Sequence, residues 1–169
     1  TGIVDAVRYS PDAAVIVSAG QDKTVRLWTA ASGAEAKKME GHAGPVYAVA
    51  IGPDVVYVGG SFSSVTGSNG TFSRARLAAI RLSTGAVTSF RADANATVRA
   101  LALRSASLFV GGDFTRVHGQ TRGRLAEVDS TTGALGSLRR DANAPVRSVA
   151  VVGDRLYAGG DFSSVGGTS

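Results

Sequence analysis

Short apolar runs, separated by glycines and polar turns, make up most of the chain. In one stretch this pattern predicts four strands, at about 98–103, 107–112, 124–129 and 134–139. The second run ends in a glycine pair, and the third alternates between two faces, as strands do. A Thr-Gly-Ala turn before the fourth run supplies a glycine that tolerates positive φ. No segment keeps a helical period of about 3.6 residues, so the chain is predicted to be all-β.

The same pattern recurs along the chain. Segments that begin at Val46, Val98 and Val146 align with one another at spacings of 52 and 48 residues. The longer spacing reflects four additional residues in the loop 68–74. A further segment begins at Val4, 42 residues before Val46, and resembles the others only in its first strand. Four short strands at such a repeat length are what a β-propeller requires. We therefore predict blades of four antiparallel strands, about three and a half of them in this chain.

The first segment resembles a WD-repeat blade. The residues that carry the resemblance are Ser10-Pro11-Asp12, Ser18-Ala19-Gly20, Gln21-Asp22-Lys23-Thr24 and Val25-Arg26-Leu27-Trp28, followed by the dipeptide Gly41-His42. Thr29 stands where the family usually has the Asp of its Trp-Asp signature. The resemblance implies a structural hydrogen-bond set inside the blade, in which Ser18, Asp22 and Trp28 match three of the four positions. The fourth member, a histidine, is expected before Thr1.

The later segments resemble the bacterial delta-60 type of propeller repeat. They share Leu-Tyr/Phe-x-Gly-Gly-Asp-Phe, then Val-x-Gly, Arg-Leu-Ala and Thr-Gly-Ala, best seen in 108–119 with 124–135 and in 156–167. In that family, blades of this type form propellers that mostly carry binding surfaces, often in large cell-surface or secreted bacterial proteins.

The repeats divide the chain into four parts. We expect a WD-repeat-like blade at 1–45, delta-type blades at 46–97 and 98–145, and the first half of a further blade at 146–169. Propellers have about four to eight blades, and closure of the ring removes exposed sheet edges. The chain is therefore expected to be a fragment, an engineered piece, a chimera, or a chain whose ring is completed by a protein partner or a second chain.

Composition narrows the functional classes. The 169 residues include 22 glycines and no cysteine, which excludes a disulfide framework and a thiolate zinc site. The net charge is +5, but the basic residues are dispersed and not interleaved with aromatic side chains, so we expect no nucleic-acid partner. No apolar run approaches the roughly 18 residues of a membrane span. Cytoplasmic and bacterial extracellular locations are both compatible with the sequence.

The sequence offers no catalytic constellation. The two histidines, His42 and His118, lie far apart, no acid–base pair recurs, and no pattern indicates a cofactor or a metal. Gly111–Phe114 imitates the nucleotide-cyclase signature Gly-Gly-Asp-Glu-Phe without its glutamate, and its recurrence 48 residues later indicates a strand end and turn. The chain is therefore predicted not to be an enzyme.

Two functions remain open at this point. The first is a structural or protein-interaction scaffold that binds through its loops or its central channel. The candidate loop residues are Phe62, Phe72, Phe114, Arg116, His118 and Phe162, although the phenylalanines also suit packing between blades. The alternative is a bacterial propeller that binds a glycan or a small ligand in repeated loop pockets, at 61–73, 113–123 and 161–169.

Overall fold

The computed structural model describes residues 2–166, and every regular element among them is a β-strand, as the sequence predicts. The main antiparallel sheets follow the four repeated segments, which are named units 1 to 4 in chain order. Residue 1 of the expected first blade and residues 167–169 of the expected last one lie outside the described residues.

Unit 1 is a sheet of four strands paired in chain order. Its strands are β1 (Val4–Tyr9), β2 (Val15–Gly20), β3 (Val25–Thr29) and β4 (Glu35–Met39). The turn between β3 and β4 needs a residue in the left-handed region, which Gly33 provides with φ +68°. The prediction of a four-stranded antiparallel blade is confirmed in this unit.

Units 2 and 3 each contain a three-stranded sheet and a small hairpin. The sheet strands of unit 2 are β5 (Val46–Ile51), β6 (Val55–Gly60) and β9 (Leu77–Arg81), and its hairpin strands are β7 (Ser64–Gly67) and β8 (Gly70–Ser73). The sheet strands of unit 3 are β10 (Val98–Arg104), β11 (Ser107–Gly112) and β14 (Leu125–Asp129), and its hairpin strands are β12 (Arg116–Val117) and β13 (Gln120–Thr121). The four additional residues of unit 2 lengthen its hairpin.

The fourth strand of these two units is reduced to a single bridge. Ile80 bridges to Val87 in unit 2, and Val128 bridges to Leu135 in unit 3. The predicted strand at 134–139 is therefore wrong in extent. One reason is that the N–H of Leu138 donates to the side-chain carboxylate of Glu127 at 3.1 Å, so this part of the ladder lacks a backbone partner.

Unit 4 has two described strands, and all four units meet along their first strands. The strands of unit 4 are β15 (Val146–Val152) and β16 (Arg155–Gly160). The strands β1, β5, β10 and β15 lie next to one another around a shared space, which is named the central groove. Buried apolar side chains fill the interfaces between successive sheets.

Two asparagines connect successive units. The side-chain oxygen of Asn95 accepts hydrogen bonds from the N–H groups of Thr115 and Arg116, each at 2.9 Å, and its amide donates to the Thr115 hydroxyl at 2.9 Å. Asn143 repeats these contacts with Ser163 and Ser164 of unit 4. The repeated Asp-Ala-Asn sequence therefore holds the loop after the second strand of the following unit.

Candidate binding site at the mouth of the central groove

Each unit carries a β-bulge at the second residue of its first strand. In unit 3, Val98 pairs with Gly112 and Ala100 pairs with Gly111, so Arg99 is the additional residue. The same register shift occurs in the other three units. The four bulged residues are Asp5, Tyr47, Arg99 and Arg147. A bulge re-aims the side chain that it carries, so one position of every unit departs from the regular strand alternation.

A glycine stands opposite each bulge because the backbone before the first strand comes too close for a side chain. A Cβ atom on Gly112 would lie 2.2 Å from the carbonyl oxygen of Thr97. The same oxygen accepts a hydrogen bond from the N–H of Asp113 at 2.9 Å, which fixes the close approach. The corresponding distances to a carbonyl oxygen are 2.1–2.2 Å at Gly20, Gly60 and Gly160. This close approach explains why a glycine ends the second strand of each unit.

The four bulged residues line one cavity. It has a volume of about 190 Å³ and is lined by β1, β5, β10 and β15, with Arg8 as a further charged side chain. Asp5, Tyr47, Arg99 and Arg147 are together named the mouth. Sequence reasoning missed this site, although one signal could have revealed it. The residue after the first valine of each repeat is Asp, Tyr, Arg and Arg in turn, whereas its neighbours are mostly apolar.

Each of the two arginines of the mouth forms a bidentate ion pair with an aspartate of its own unit. The Nε and Nη2 atoms of Arg99 each lie 2.7 Å from a carboxylate oxygen of Asp113. Arg147 forms the same bidentate pair with Asp161, at 2.7 and 2.6 Å. The hydrogen bonds to these carboxylates raise the pKa of both guanidinium groups, and Arg147 in turn lowers the pKa of Asp161. Bidentate pairing fixes the guanidinium plane and thereby prepares it for a ligand.

Hydrogen-bonding capacity remains at the mouth. No hydrogen bond within residues 2–166 uses the Nη1 atom of Arg99 or Arg147, and Asp5 has no ion pair or hydrogen bond through its carboxylate in that range. Tyr47 of unit 2 follows Asp5 of unit 1 and precedes the two arginines of units 3 and 4 in the order of the units around the groove. The mouth therefore combines fixed donors, an aromatic ring and a free acceptor.

The three residues expected to form the WD-type hydrogen-bond set, Ser18, Asp22 and Trp28, do not form one connected network. Ser18 pairs with Trp28, and Asp22 has other partners. The indole N–H of Trp28 donates to the hydroxyl of Ser18 at 2.9 Å. Asp22 instead accepts hydrogen bonds from the hydroxyl of Thr24 at 2.9 Å and from its N–H at 3.2 Å. Among the described residues no hydrogen bond joins Asp22 to Ser18 or Trp28, because its turn and Arg26 engage the carboxylate.

The prediction that Phe62 and Phe114 form part of a binding surface is wrong. Phe62 and Phe114 are 1% and 0% exposed and lie in the apolar cores between units. Phe162 is half-buried at the corresponding place in unit 4. Phe72 is half-buried on the hairpin of unit 2, with the guanidinium carbon of Arg74 5.7 Å from its ring centre. The repeated loops therefore use their aromatic rings for packing, which does not favour a glycan pocket in each loop.

Arg116 and His118 are exposed on the hairpin of unit 3. The backbone of Arg116 pairs with Thr121, and its N–H donates to Asn95. His118 has a φ of +51°, and its Nδ1 lies 3.1 Å from the carbonyl oxygen of Arg91. The structure places both side chains on the surface but apart from the residues that line the mouth cavity.

His42, which the sequence showed only as part of the Gly41-His42 dipeptide, is buried. Its ring packs edge-on against Phe62, with 5.9 Å between ring centres, and it is 3% exposed. Neither ring nitrogen has a hydrogen-bond partner among residues 2–166. Burial lowers the pKa of His42 to about 4, although the backbone of Lys23 acts in the opposite direction. His42 is therefore neutral at pH 7 and acts as a packing residue between units 1 and 2.

Comparisons with known proteins agree with this architecture. The family model described as WD domain, G-beta repeat matches residues 1–29. The small ribosomal subunit protein RACK1y of rice, Oryza sativa subsp. japonica, is 41% identical over 73 residues, which cover 42% of this chain and 20% of that protein. The chain thus spans about a fifth of the length of this curated relative.

Solved structures show the fold over most of the chain. The computationally designed Ika4 protein superposes with a TM-score of 0.72 at 17% identity, covering 98% of this chain and 89% of that one. The WD40 repeats of RRP9 superpose with a TM-score of 0.68 at 14% identity, covering 89% of this chain and 42% of that one. The chain has the β-propeller fold. The WD-repeat family model covers the first three strands of unit 1, and the delta-60 character of the later units stays a prediction.

The described residues contain neither a cluster of metal ligands nor a membrane-spanning helix. Among residues 2–166, no group of three or more His, Asp or Glu side chains could hold a metal ion. That part of the chain also contains no helix that is long and apolar enough to cross a bilayer.

Proposed function

We propose that this propeller is a non-enzymatic protein-interaction scaffold that binds a partner polypeptide at the mouth. The observation that supports the proposal is the convergence of four bulged side chains, one from each unit, on a single cavity. The RACK1y relative is named as a ribosomal subunit protein, which supports a role in a macromolecular assembly.

The composition of the mouth suits a protein partner. Tyrosine and arginine are the residue types enriched at interface hot spots, where rigid side chains contribute most of the binding free energy. The free Nη1 atoms of Arg99 and Arg147 would donate to backbone or side-chain oxygens of the partner, and Asp5 would accept from an N–H group. Because Asp113 and Asp161 already fix both guanidinium groups, little side-chain entropy would be lost on binding.

A displayed library of random peptides tests the mouth directly, because it samples many partner sequences at once. We expect peptides selected on the wild-type chain to bind the double variant Tyr47→Ala/Arg99→Ala more weakly by at least about tenfold, as expected for the loss of hot-spot residues. Arg81→Ala is the matched control, because Arg81 pairs with Asp54 in an exposed ion pair and neither residue lines the mouth cavity. Equal binding to wild type and the double variant would contradict the proposal.

We also propose that a second copy of this chain packs on the face of unit 1 that no described unit covers. Val4 and Val7 of β1 are 59% and 48% exposed, whereas the corresponding Val46 and Val49 of β5 are 0% and 1% exposed because β1 and β2 lie beside them. The exposed valines therefore belong to a surface that packs between blades elsewhere in the molecule.

The oligomeric state tests this second interface. We expect the chain to sediment above the mass of a 17.1 kDa monomer at micromolar concentration. The variant Val7→Lys should restore the monomer, because it places a charge on the apolar face. A compact monomer at every concentration would exclude self-association through this face.

A further inference from the structure

The two arginines of the mouth lie close to each other. Arg99 and Arg147 occupy the same bulge position of adjacent units, and both line the mouth cavity. The hydrogen bonds to Asp113 raise the pKa of Arg99, whereas the positive charge of Arg147 acts in the opposite direction. The two guanidinium groups are therefore near enough to repel each other, and an anion between them would relieve this repulsion.

The free donor atoms of this pair match a carboxylate. Asp113 and Asp161 engage the Nε and Nη2 atoms of the two arginines, and no hydrogen bond in the part of the chain that the structure describes uses either Nη1. The side chains of Arg99 and Arg147 are 35% and 55% exposed, so a ligand can reach them. A carboxylate has two oxygens, and each can accept a charge-assisted hydrogen bond from one Nη1.

The other charged groups around the cavity leave this preference in place. The lining residues include a third arginine, Arg8, and one aspartate, Asp5. Asp5 forms no ion pair with Arg99 or Arg147 among residues 2–166. With the two paired aspartates included, the positive and negative charges balance. The preference for an acidic group therefore comes from directed N–H groups and not from net charge.

Below the mouth the central groove continues as an apolar cavity of about 270 Å³. Arg8, Leu101 and Val149 line both cavities, so the second adjoins the first. Consecutive residues line the lower cavity, among them 101–103 of β10 and 149–151 of β15. Successive side chains of a strand point to opposite faces, so consecutive lining residues indicate that these strands present a backbone edge to the groove.

The inner edges of the middle units are open to a ligand. Among the described residues β10 pairs only with β11, and β5 pairs only with β6. Units 2 and 3 each have a neighbouring unit on both sides, so these two edges belong to the interior of the series. The lower cavity is lined there by the small residues Ala50 and Ala102, which leave room for another backbone. Unpaired N–H and C=O groups of a strand edge can bind an extended chain.

We propose, on the basis of the proposed function of the mouth, that the partner segment is an extended acidic peptide. One Asp or Glu side chain of the segment lies between Arg99 and Arg147 and accepts hydrogen bonds from their Nη1 atoms. The adjoining residues carry small apolar side chains and run along the central groove beside the inner edge of β10. Main-chain hydrogen bonds supply affinity, and the carboxylate supplies specificity.

A peptide array tests the acidic contact. Its seven-residue peptides carry Glu, Gln or Lys at the central position and mixtures of Ala, Ser and Val at the others. We expect the Glu series to bind the 169-residue chain at least about tenfold more tightly than the Gln series, as expected for hydrogen bonds to a charged group. The Lys series should not bind, because its ammonium group would lie beside two guanidinium groups.

A charge-neutral double variant separates this contact from an effect on folding. Arg99→Gln/Asp113→Asn removes both charges of one pair together and leaves two amide groups that can still bond to each other. In this variant the preference for Glu over Gln should fall to about twofold or less, because one charged donor is lost. Arg104→Gln/Asp154→Asn is the matched control, since this ion pair joins units 3 and 4 and neither residue lines either cavity.

Amide exchange tests the path along the groove. Exchange in β10 should slow when a peptide of the Glu series is bound, because N–H groups of its inner edge gain partners. Unchanged exchange in β10 would overturn this path.

The outcomes distinguish the acidic contact from the proposed function. Equal binding of the Glu and Gln series, or a preference for Glu that survives in Arg99→Gln/Asp113→Asn, would overturn the acidic contact and leave the mouth as a peptide site. If neither the array nor the displayed library yields a binding peptide, the proposed function fails and the acidic contact fails with it.

Discussion

The substitution Gly112→Ala is expected to lower the free energy of unfolding by about 3 kcal/mol, the upper end of the range for overpacking. The new Cβ would lie 2.2 Å from the carbonyl oxygen of Thr97 and 3.1 Å from the Cα of Val98. Both contacts involve backbone atoms, so a rotamer change cannot relieve them. Relief would require β10 to move away from β11, which would break the hydrogen bond from Asp113 to Thr97 and displace the bulge at Arg99.

Chemical denaturation followed by circular dichroism measures this effect. Gly52→Ala is the matched control, because its Cβ would meet a flexible methyl group of Leu103 at 3.2 Å and would lie at an ordinary contact distance of 3.7 Å from the carbonyl oxygen of Val55. We expect the control to change stability by less than about 1 kcal/mol, as in most permissive sites. If the two variants proved equally stable, the close approach opposite the bulge would not constrain the fold.

Acidification from pH 7 to pH 4 is expected to remove up to about 3 kcal/mol of stability through His42 alone. Burial lowers its pKa from 6.5 to about 4 in the folded chain. Between these values the unfolded chain binds more protons than the folded one, so stability falls as the pH falls. The loss begins near pH 6.5 and is complete near pH 4, where the folded chain also takes up the proton.

Protonation of the aspartate carboxylates lowers the stability of the fold in a different, more acidic pH range. Hydrogen bonds lower the pKa of Asp54, Asp129 and Asp161 from 3.8, so their stabilising contributions are lost only below about that value. The variant His42→Phe keeps an aromatic ring beside Phe62 and cannot take up a proton. Denaturation curves of this variant should change little between pH 6.5 and 4. An equally steep pH dependence in both proteins would show that His42 is not the responsible group.

The repeated sequence pattern made the fold predictable. The predictions that failed did so because of particular side-chain contacts. The glycine pairs, the apolar runs and the 48-residue spacing identify the strands of unit 3 without any structure. The fourth strand of unit 3 is shorter than predicted, and one reason is that the carboxylate of Glu127 accepts from the N–H of Leu138, a side-chain contact that strand patterns do not contain. Phe62 and Phe114 failed as surface residues because the stacking of one unit on the next buries them.

The candidate site was less accessible to sequence reasoning. Asp113 belongs to a glycine-rich motif that predicts a turn, but the motif does not indicate that Arg99, fourteen residues earlier, pairs with its carboxylate. The bulge that brings them together depends on the pairing register of β10 and β11. A strand that alternates regularly would give Arg99 a different direction, because one residue of register reverses the face.

The local elements, namely the strands, their turns, the glycines that end them and the repeats, can be read from the amino-acid pattern. These follow from the alternation of apolar residues and from the conformational freedom of glycine, which act over a few residues. Which side chains of different units come into contact depends on the tertiary structure. The mouth joins residues from four units. Contacts of this kind depend on how sheets stack around a common groove, which no short stretch of the chain encodes.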